Sequence, residues 1–489
     1  MLFNSHIFIL LFLPLLLAGW YFLNWKKKFQ LAQGYLIGMS LWFYAYANLQ
    51  YLWLLLFSCL IGWLLSCLPE KISSEKGKKA LTGIGCVFHL GLLGYFKYSN
   101  FFLENLNTIF HTDFPMLQIL LPVGISFYTF QQLAYLIDRC RGDAPGDSFF
   151  DYLTFMVYFP QLLQGPILLR FEFMEQLKEP ERRRFHAERF SEGIQFFVFG
   201  LAKKVLLADT LAKAVNYGYS NVSMLDSISA LLLAVGYLTE LYFDFSGYCD
   251  MAVGLGKMIG LEVAENFDAP FHSASVKEFW RRWHMTLGRF FTRYAYIPLG
   301  GNRKGKMRTL CNVMIVMLLS GLWHGAAWTF VLWGFLHGVG MIWDNLEHPH
   351  LPKKWMRQAA TFAYVCMTFV FFRAESIAQG ADVLKSIVSL KWNGFVFQMA
   401  SALDMTEFYM ITKALSMKLP GLLSWFWLGI FVVLIAICFR VLSGEKVSGV
   451  VALQRQKGYG RLYPVLLAVL FTWSMISMTG VSEYLYFSF

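Results

Sequence analysis

Two histidines stand where proton-transfer chemistry is costly to keep and useful to have. His324 lies in an apolar run, Val313 to Trp343, that has no Asp, Glu, Lys or Arg and also holds His337. His284 closes a basic, Trp-rich segment, Lys277-Glu-Phe-Trp-Arg-Arg-Trp-His284, forty residues before His324. Imidazole titrates near neutrality, so it can take a proton from a hydroxyl and give it back; inside a membrane span such a group is a functional hypothesis. The competing reading for a lone histidine is a packing residue bonded to a neighbouring carbonyl. His324 is the stronger candidate, because Gly321 and Gly325 bracket it and can loosen the helix where backbone lines a cavity.

The elements that must position these groups belong to a membrane. The 489-residue chain is 57% hydrophobic and 15% charged. Apolar stretches recur at about 7–25, 30–47, 51–68, 81–99, 117–137, 193–217, 228–246, 311–343, 358–372, 423–442 and 461–480. A span takes about 20 apolar residues, so roughly ten to twelve helices are expected once 311–343 is allowed to divide. A β-barrel would show short alternating segments instead. The expectation is an all-α, polytopic transmembrane protein with re-entrant or interfacial helices.

Charge supplies an orientation. No Lys or Arg precedes Lys26, Lys27 and Lys28, which close the first apolar stretch. By the positive-inside rule the N-terminus faces outward and the three lysines face the cytoplasm. Lys71, Lys76, Lys78 and Lys79 then mark the cytoplasm, residues 100–116 carry no Lys or Arg and lie outside, and Arg139 and Arg141 mark the return. The first stretch lacks a basic region before its apolar core, so it reads as a retained helix and not as a signal peptide. The eight cysteines show no C-x-x-C pairing and sit mostly in apolar segments, which fits buried thiols and implies neither disulfides nor zinc.

The middle of the chain is more polar. Residues 166–192 mix Arg170, Arg182, Arg183, Arg184 and Arg189 with glutamates, as a solvated cytoplasmic loop or surface helix would. From Lys277 to Arg308 there are nine Lys or Arg against the single acid Glu278. Such a stretch suits interfacial helices. It is either a headgroup anchor or a docking site for an anionic donor, since guanidinium forks match phosphate oxygens. Lys203 and Lys204 interrupt an apolar segment and either snorkel, line a polar interior or mark a tilted helix, because a mid-bilayer cation costs about 2.5–3.5 kcal/mol. Pro160, Gly165 and Pro166 break up residues 151–169, which points to a re-entrant element. Tyr242–Asp250 puts Asp244, Ser246 and Asp250 beside an apolar span, and the two aspartates are expected to pair with arginine.

Phosphate-binding, dinucleotide and HExxH patterns are absent, and the Gly-rich 254–260 stretch has no flanking strand pattern. No 20–50-residue repeat is evident, which counts against many transporter folds.

Four segments together resemble the membrane-bound O-acyltransferase family. They are Asn266-Phe-Asp-Ala-Pro270, Glu278-Phe-Trp-Arg-Arg-Trp-His284-Met-Thr-Leu287, Tyr296-Ile-Pro-Leu-Gly-Gly-Asn-Arg303 and Ser320-Gly-Leu-Trp-His324-Gly-Ala-Ala-Trp328. The likeness is to its bacterial branch, the membrane subunits of alginate and related polysaccharide O-acetylation systems. Leu121–Gln131, Phe159–Pro166, Tyr242–Tyr248 and the terminal Tyr484-Leu-Tyr-Phe-Ser-Phe489 extend it over most of the chain. One departure is Phe290-Phe-Thr-Arg-Tyr294, where the family usually has W-F-R-D-Y; the missing acid puts any acidic role there in doubt. The Y-I-P-L-G-G-N-R element favours this branch over the proteins that transfer D-alanine to teichoic acids.

The resemblance implies one membrane-embedded domain over 1–489, with peripheral helices 1–137, a motif-bearing core 150–345 and C-terminal helices 355–489. It also implies a central tunnel with the W-H-G histidine at its narrowest point, a cytoplasmic thioester donor such as acetyl-CoA, and no permanently bound cofactor or metal. Extracytoplasmic acetyltransferase partner proteins and a polysaccharide acceptor are implied at a bacterial inner membrane, with no nucleic acid involved. His324 is then the general base and His284 an orienting or stabilising second histidine. Arg281, Arg282, Arg303 and Lys304 are candidate donor-binding residues. His337 and His89 are expected to pack. A proton-coupled transporter of lipid-linked sugar and a non-catalytic scaffold of a polysaccharide synthase remain the alternatives from other classes.

Overall fold

The computed structural model describes residues 1–346, 352–442, 446–457, 460, 462–478 and 484–485. Among these, the regular elements are helices, apart from one isolated antiparallel bridge between Phe267 and Trp283. The helices are α1 Leu13–Trp25, α2 Phe29–Asn48, α3 Leu52–Cys67, α4 Glu75–Leu93, α5 Ser99–Phe110, α6 Ile125–Arg141, α7 Phe149–Val157 and α8 Phe159–Leu162. They continue as α9 Arg170–Lys178, α10 Ala187–Ala202, α11 Asp209–Ser220, α12 Ser227–Ile259, α13 Val276–Arg282, α14 Met285–Phe291, α15 Lys306–His324 and α16 Trp328–Asn345. The last are α17 Lys354–Arg373, α18 Ile377–Val388, α19 Phe395–Ser401, α20 Tyr409–Lys418, α21 Pro420–Leu442, α22 Val447–Lys457 and α23 Leu462–Ser477. The all-α, multi-pass membrane architecture read from the apolar runs is the one observed.

Six helices among the described residues are long and apolar enough to cross a bilayer: Phe8–Trp25, Leu49–Cys67, Glu75–Phe110, Ser227–Ile259, Lys306–His324 and Pro420–Leu442. Run length predicts roughly ten to twelve; beyond these six, α2, α16 and α17 are further unbroken helices of 20, 18 and 20 residues, and other apolar runs are not one continuous helix. Residues 113–122 are not helical, and α6 begins only after Gly124 at φ 77°. A Cβ at Gly124 would come within 2.5 Å of the Leu162 carbonyl oxygen, so the close approach itself requires glycine. The 193–217 run is helical throughout and passes through π-helical turns over Lys203–Ala208. The 311–343 run divides at residues 325–327, as its glycines imply. Residues 486–489 of the terminal motif lie outside the described residues.

The chain separates into two compact units, one of Met1–Val198, Tyr248–Glu265 and Thr286–Pro298 and one of Phe199–Gly247, Asn266–Met285 and Leu299–Phe489. In the first, helices pack closely where side chains are small: a Cβ on Gly254 of α12 would come within 2.5 Å of the Gly193 carbonyl oxygen of α10. One buried polar network runs between its helices. Tyr152 donates to Gln132 Oε1 (2.6 Å), Gln132 Nε2 donates to Ser58 Oγ (2.8 Å), and Ser58 Oγ lies 3.3 Å from His89 Nδ1. His89 is a buried packing residue, held through α3 and α6.

The broken element expected over 151–169 is present in this unit. Helix α7 stops at Tyr158 (φ −53°, ψ 109°), α8 makes a single turn with Pro160 near its start, and 163–169 run non-helically while buried. Non-helical backbone at membrane depth needs partners. Ile167 N–H donates to Thr286 Oγ1 (3.0 Å), Arg289 Nη2 donates to the Ile167 carbonyl (3.1 Å), and Arg289 also pairs with Glu172. Just beyond, Arg170 grips the buried Asp147 with both arms of its guanidinium, with 2.7 Å from Nε to Oδ2. Carboxylates from other parts of the chain lie against the Phe290–Tyr294 segment. Asp138 of α6 accepts from Arg293 (3.0 Å) and Tyr294 (2.8 Å), and Asp143 pairs with Arg293 at 2.8 Å.

The orientation read from charge is testable by cysteine labelling. Asn107 is a poor reporter position, because its side chain donates to the Phe114 carbonyl and accepts from the Phe114 N–H, each at 2.9 Å. Asp113 is exposed on the same loop. A cysteine at Asp113 is expected to react with an impermeant maleimide in intact spheroplasts and one at Lys78 only after lysis; the reverse pattern refutes the assigned topology.

Candidate active site

The site residues lie in the second unit, and it is built on a helical hairpin. Helices α15 and α16 pack so tightly that a Cβ on Gly334 would come within 2.5 Å of the Met317 carbonyl oxygen, and one on Gly321 would collide with the Phe330 carbonyl. His324 is the last residue of α15, after which Gly325 (φ −161°, ψ 153°) and Ala327 (φ −148°, ψ 152°) are extended. The aligned peptide dipoles of α15 end at this residue, placing partial negative charge where a base acquires positive charge during proton transfer. Its ring is buried in an aromatic box, edge-on to Trp323 (4.9 Å), Trp333 (5.1 Å) and Phe372 (5.0 Å) between centroids.

His284 reaches the same region from a different element. It occupies the step between α13 and α14 with a left-handed φ of 47°, an arrangement that costs a residue with a Cβ roughly 1–3 kcal/mol. Paired backbone over-determines that conformation. Phe267 bridges to Trp283, Asp268 N–H donates to the Arg282 carbonyl (2.9 Å), and Met285 N–H donates to the Asn266 carbonyl (3.0 Å). The Asn266 side chain presents Oδ1 at 3.4 Å from His284 Nδ1. An amide oxygen accepts, so Nδ1 carries the proton and Nε2 the lone pair. Nε2 is buried and has no hydrogen-bond partner among the described residues. Burial pushes this imidazole down to about 3, which keeps it neutral at physiological pH. His284 lies against Phe245 (4.7 Å) and Trp323 (6.1 Å). Trp323 therefore touches both histidines.

His337 has a different role. Trp280 Nε1 donates to its Nδ1 (3.2 Å), so the proton sits on Nε2, which meets Thr368 Oγ1 at 2.9 Å; that hydroxyl in turn donates to the Val365 carbonyl (2.8 Å). Every polar atom of the ring is used, and the relay fastens α13 to α16 and α17. The Trp280 of the basic motif is thus a structural pin.

The basic residues are not equivalent. Arg282 is engaged by Glu278 (3.0 Å) and lies 3.9 Å from Asp268. Arg281 is exposed, and Arg303 and Lys304 are exposed on the turn before α15. That turn is held by Asn312, whose Nδ2 donates to the Gly301 carbonyl at 2.9 Å.

Reading the residues in order gave no role to Asn266, although it opens the first of the four motif segments. Lys204 is buried and lines a polar interior; it pairs with Asp244 at 2.6 Å and Asp209 at 2.8 Å. Asp244 is therefore matched by a lysine and not by the expected arginine. No group of three or more His, Cys, Asp or Glu suited to a metal occurs among the described residues.

Residues 145–378 match the family model for the membrane-bound O-acyltransferase family. The chain is 36% identical over 423 residues to the peptidoglycan O-acetyltransferase of Helicobacter pylori, covering 80% of each protein. It is 40% identical over 389 residues to the probable alginate O-acetylase AlgI of Azotobacter vinelandii, covering 77% of this chain and 76% of that one. The teichoic acid D-alanyltransferase of Bacillus subtilis is more distant, at 28% over 271 residues, 52% of this chain and 69% of the relative.

Proposed function

The chain belongs to the membrane-bound O-acyltransferase family, and we propose that it O-acetylates an extracytoplasmic polysaccharide from a cytoplasmic thioester at a bacterial inner membrane. The observation that carries the reading is a buried histidine at the broken end of a spanning helix, in a chain similar over about four fifths of its length to two O-acetylating proteins. A thioester is already activated, so the protein has to deprotonate a hydroxyl and hold it in line. His324 takes the hydroxyl proton as the oxygen attacks the acetyl carbonyl. The carbon–sulfur bond breaks, the thiolate leaves, and the proton returns to sulfur. A positioned base contributes about 10²–10⁴-fold to such a step. His284, neutral and with Nε2 as its lone-pair nitrogen, orients a hydroxyl or bound water beside it.

Acetyl-CoA is the donor this reading names, and the acceptor hydroxyl belongs to the polysaccharide or to an extracytoplasmic acetyltransferase that relays the group. Similarity to an alginate O-acetylase and a peptidoglycan O-acetyltransferase makes these two polymers the acceptors to test. Purified protein in proteoliposomes, given labelled acetyl-CoA inside and each acceptor system outside, is expected to label one of them. Label on neither polymer, with D-alanine transferred instead, would replace the reading.

Arg303 and Lys304, with Arg281, are assigned to the donor's phosphates. Changing Arg303 and Lys304 to glutamine is expected to raise the apparent KM for acetyl-CoA about tenfold with kcat little changed, on the scale of one charge-assisted bond. An anchoring role predicts the opposite: unchanged donor kinetics and less protein in the membrane.

A further inference from the structure

We propose that the buried Lys204–Asp244 pair, closed by the C-terminal Tyr484–Leu485, is a clamp that positions His284 through Phe245. This rests on the acetyl-transfer reading for its kinetic consequence and stands on geometry of its own. Within the second unit, Gly247 lets the first part of α12 approach the π-helical turns closely: a Cβ there would come within 2.7 Å of the Gly200 carbonyl oxygen and 3.2 Å of Lys204 N. That approach brings Lys204 Nζ to 2.6 Å from Asp244 Oδ1. The other carboxylate oxygen of Asp244 accepts the Leu485 N–H at 3.2 Å, and the fully buried Tyr484 ring lies 4.6 Å from Lys204 Nζ. Residues nearly at the end of the chain therefore close over a charge pair near its middle.

The next residue on α12 is Phe245, whose ring stands edge-on to His284 at 4.7 Å and to Phe267 at 5.2 Å. Tyr242, one turn earlier, packs on Phe267 at 5.4 Å and Trp283 at 6.0 Å. One face of this stretch of α12 thus holds the strained step that carries His284, and Asp244 holds the helix in place. Hydrophobic groups of equal volume would seal the space as well; a hydrogen-bonded charge pair adds a single rotation and register, because a slip leaves buried charge unpaired. Lys204, Asp244 and the Tyr484–Leu485 segment are positioning residues and touch no reacting atom.

The test uses the full-length protein and the triple variant Lys204→Met, Asp209→Asn, Asp244→Asn, which removes the buried pair together with the second carboxylate that Lys204 holds and so leaves no charge without its partner. The expected result is wild-type accumulation, a kcat for acetyl transfer at least tenfold lower, a donor KM within twofold, and at least fivefold faster modification of His284 by diethyl pyrocarbonate. His337, pinned by two hydrogen bonds, is expected to react no faster. A triple variant with wild-type kcat overturns the proposal, and so does a lower kcat with unchanged His284 reactivity. Should the triple variant fail to accumulate, Phe245→Leu tests the same link with the ion pair intact, and unchanged His284 reactivity there overturns it. A wild-type protein that transfers no acetyl group sinks the functional reading alone, since the His284 reactivity comparison still decides the clamp.

Discussion

Replacing His324 with alanine is expected to abolish polymer O-acetylation while the protein still reaches the membrane. The ring is enclosed by Trp323, Trp333 and Phe372, so alanine leaves a small cavity at the end of α15. The cavity costs stability, but the hairpin is held elsewhere, by the glycine contacts of Gly321 and Gly334. The chemical loss is larger. Without a base, the acceptor hydroxyl must ionise unaided, and the rate falls by about 10²–10⁴-fold. The comparison to make is ester content of the polymer, normalised to membrane protein, in wild type, His324→Ala and His324→Gln. Glutamine refills the space without supplying a base, so both variants are expected to be silent. Normal acetyl content in either one removes His324 from the mechanism.

The second large effect is expected from His284→Gly. Glycine adopts the left-handed φ of 47° without the penalty a Cβ incurs, so this change removes the imidazole and leaves the backbone step relaxed. Activity is expected to fall about 10²-fold at near-normal protein levels. Because His284 is held neutral with its value pushed down to about 3, it does not titrate between pH 5 and 9. Its loss is therefore expected to lower the plateau of the pH–rate profile without moving the inflections within that range. An inflection that disappears in His284→Gly would show that the residue titrates during turnover and would overturn its assignment as a permanently neutral partner. His337→Phe makes a useful contrast. It breaks the Trp280–His337–Thr368 relay, so it is expected to reduce accumulation while the protein that remains keeps its pH profile.

Much of this organisation was legible along the chain because it follows from local physical demands. Lipid forces long apolar helices, so composition and run length were enough to predict an all-α membrane protein. The division of the 311–343 run beside His324 followed from Gly321 and Gly325, and the break near residue 160 from its prolines and glycine. Those residues act on their own backbone, and no partner is needed to read them. Which apolar runs become single long helices was less legible, because an apolar run reports burial, and burial inside a protein can be satisfied by non-helical backbone as well as by a straight helix.

The pairings were decided by tertiary structure alone. Nothing in the spacing of Asn266 and His284 says that an amide sets the tautomer of the ring. Nor does spacing say that Lys204 takes Asp244, that Asp138 answers Arg293, or that Trp280 locks His337. Each partnership joins residues 18 to 155 positions apart, brought together by helix packing. The left-handed turn at His284 was equally hidden, because histidine tolerates that region better than most side chains but still populates it rarely; paired backbone from residues 266–268 imposes it. Residue type and periodicity determine which side chains are buried and which backbone can break. Which buried group meets which is fixed only once the helices have packed, because an unpaired polar atom away from water is costly enough to select one arrangement over its neighbours.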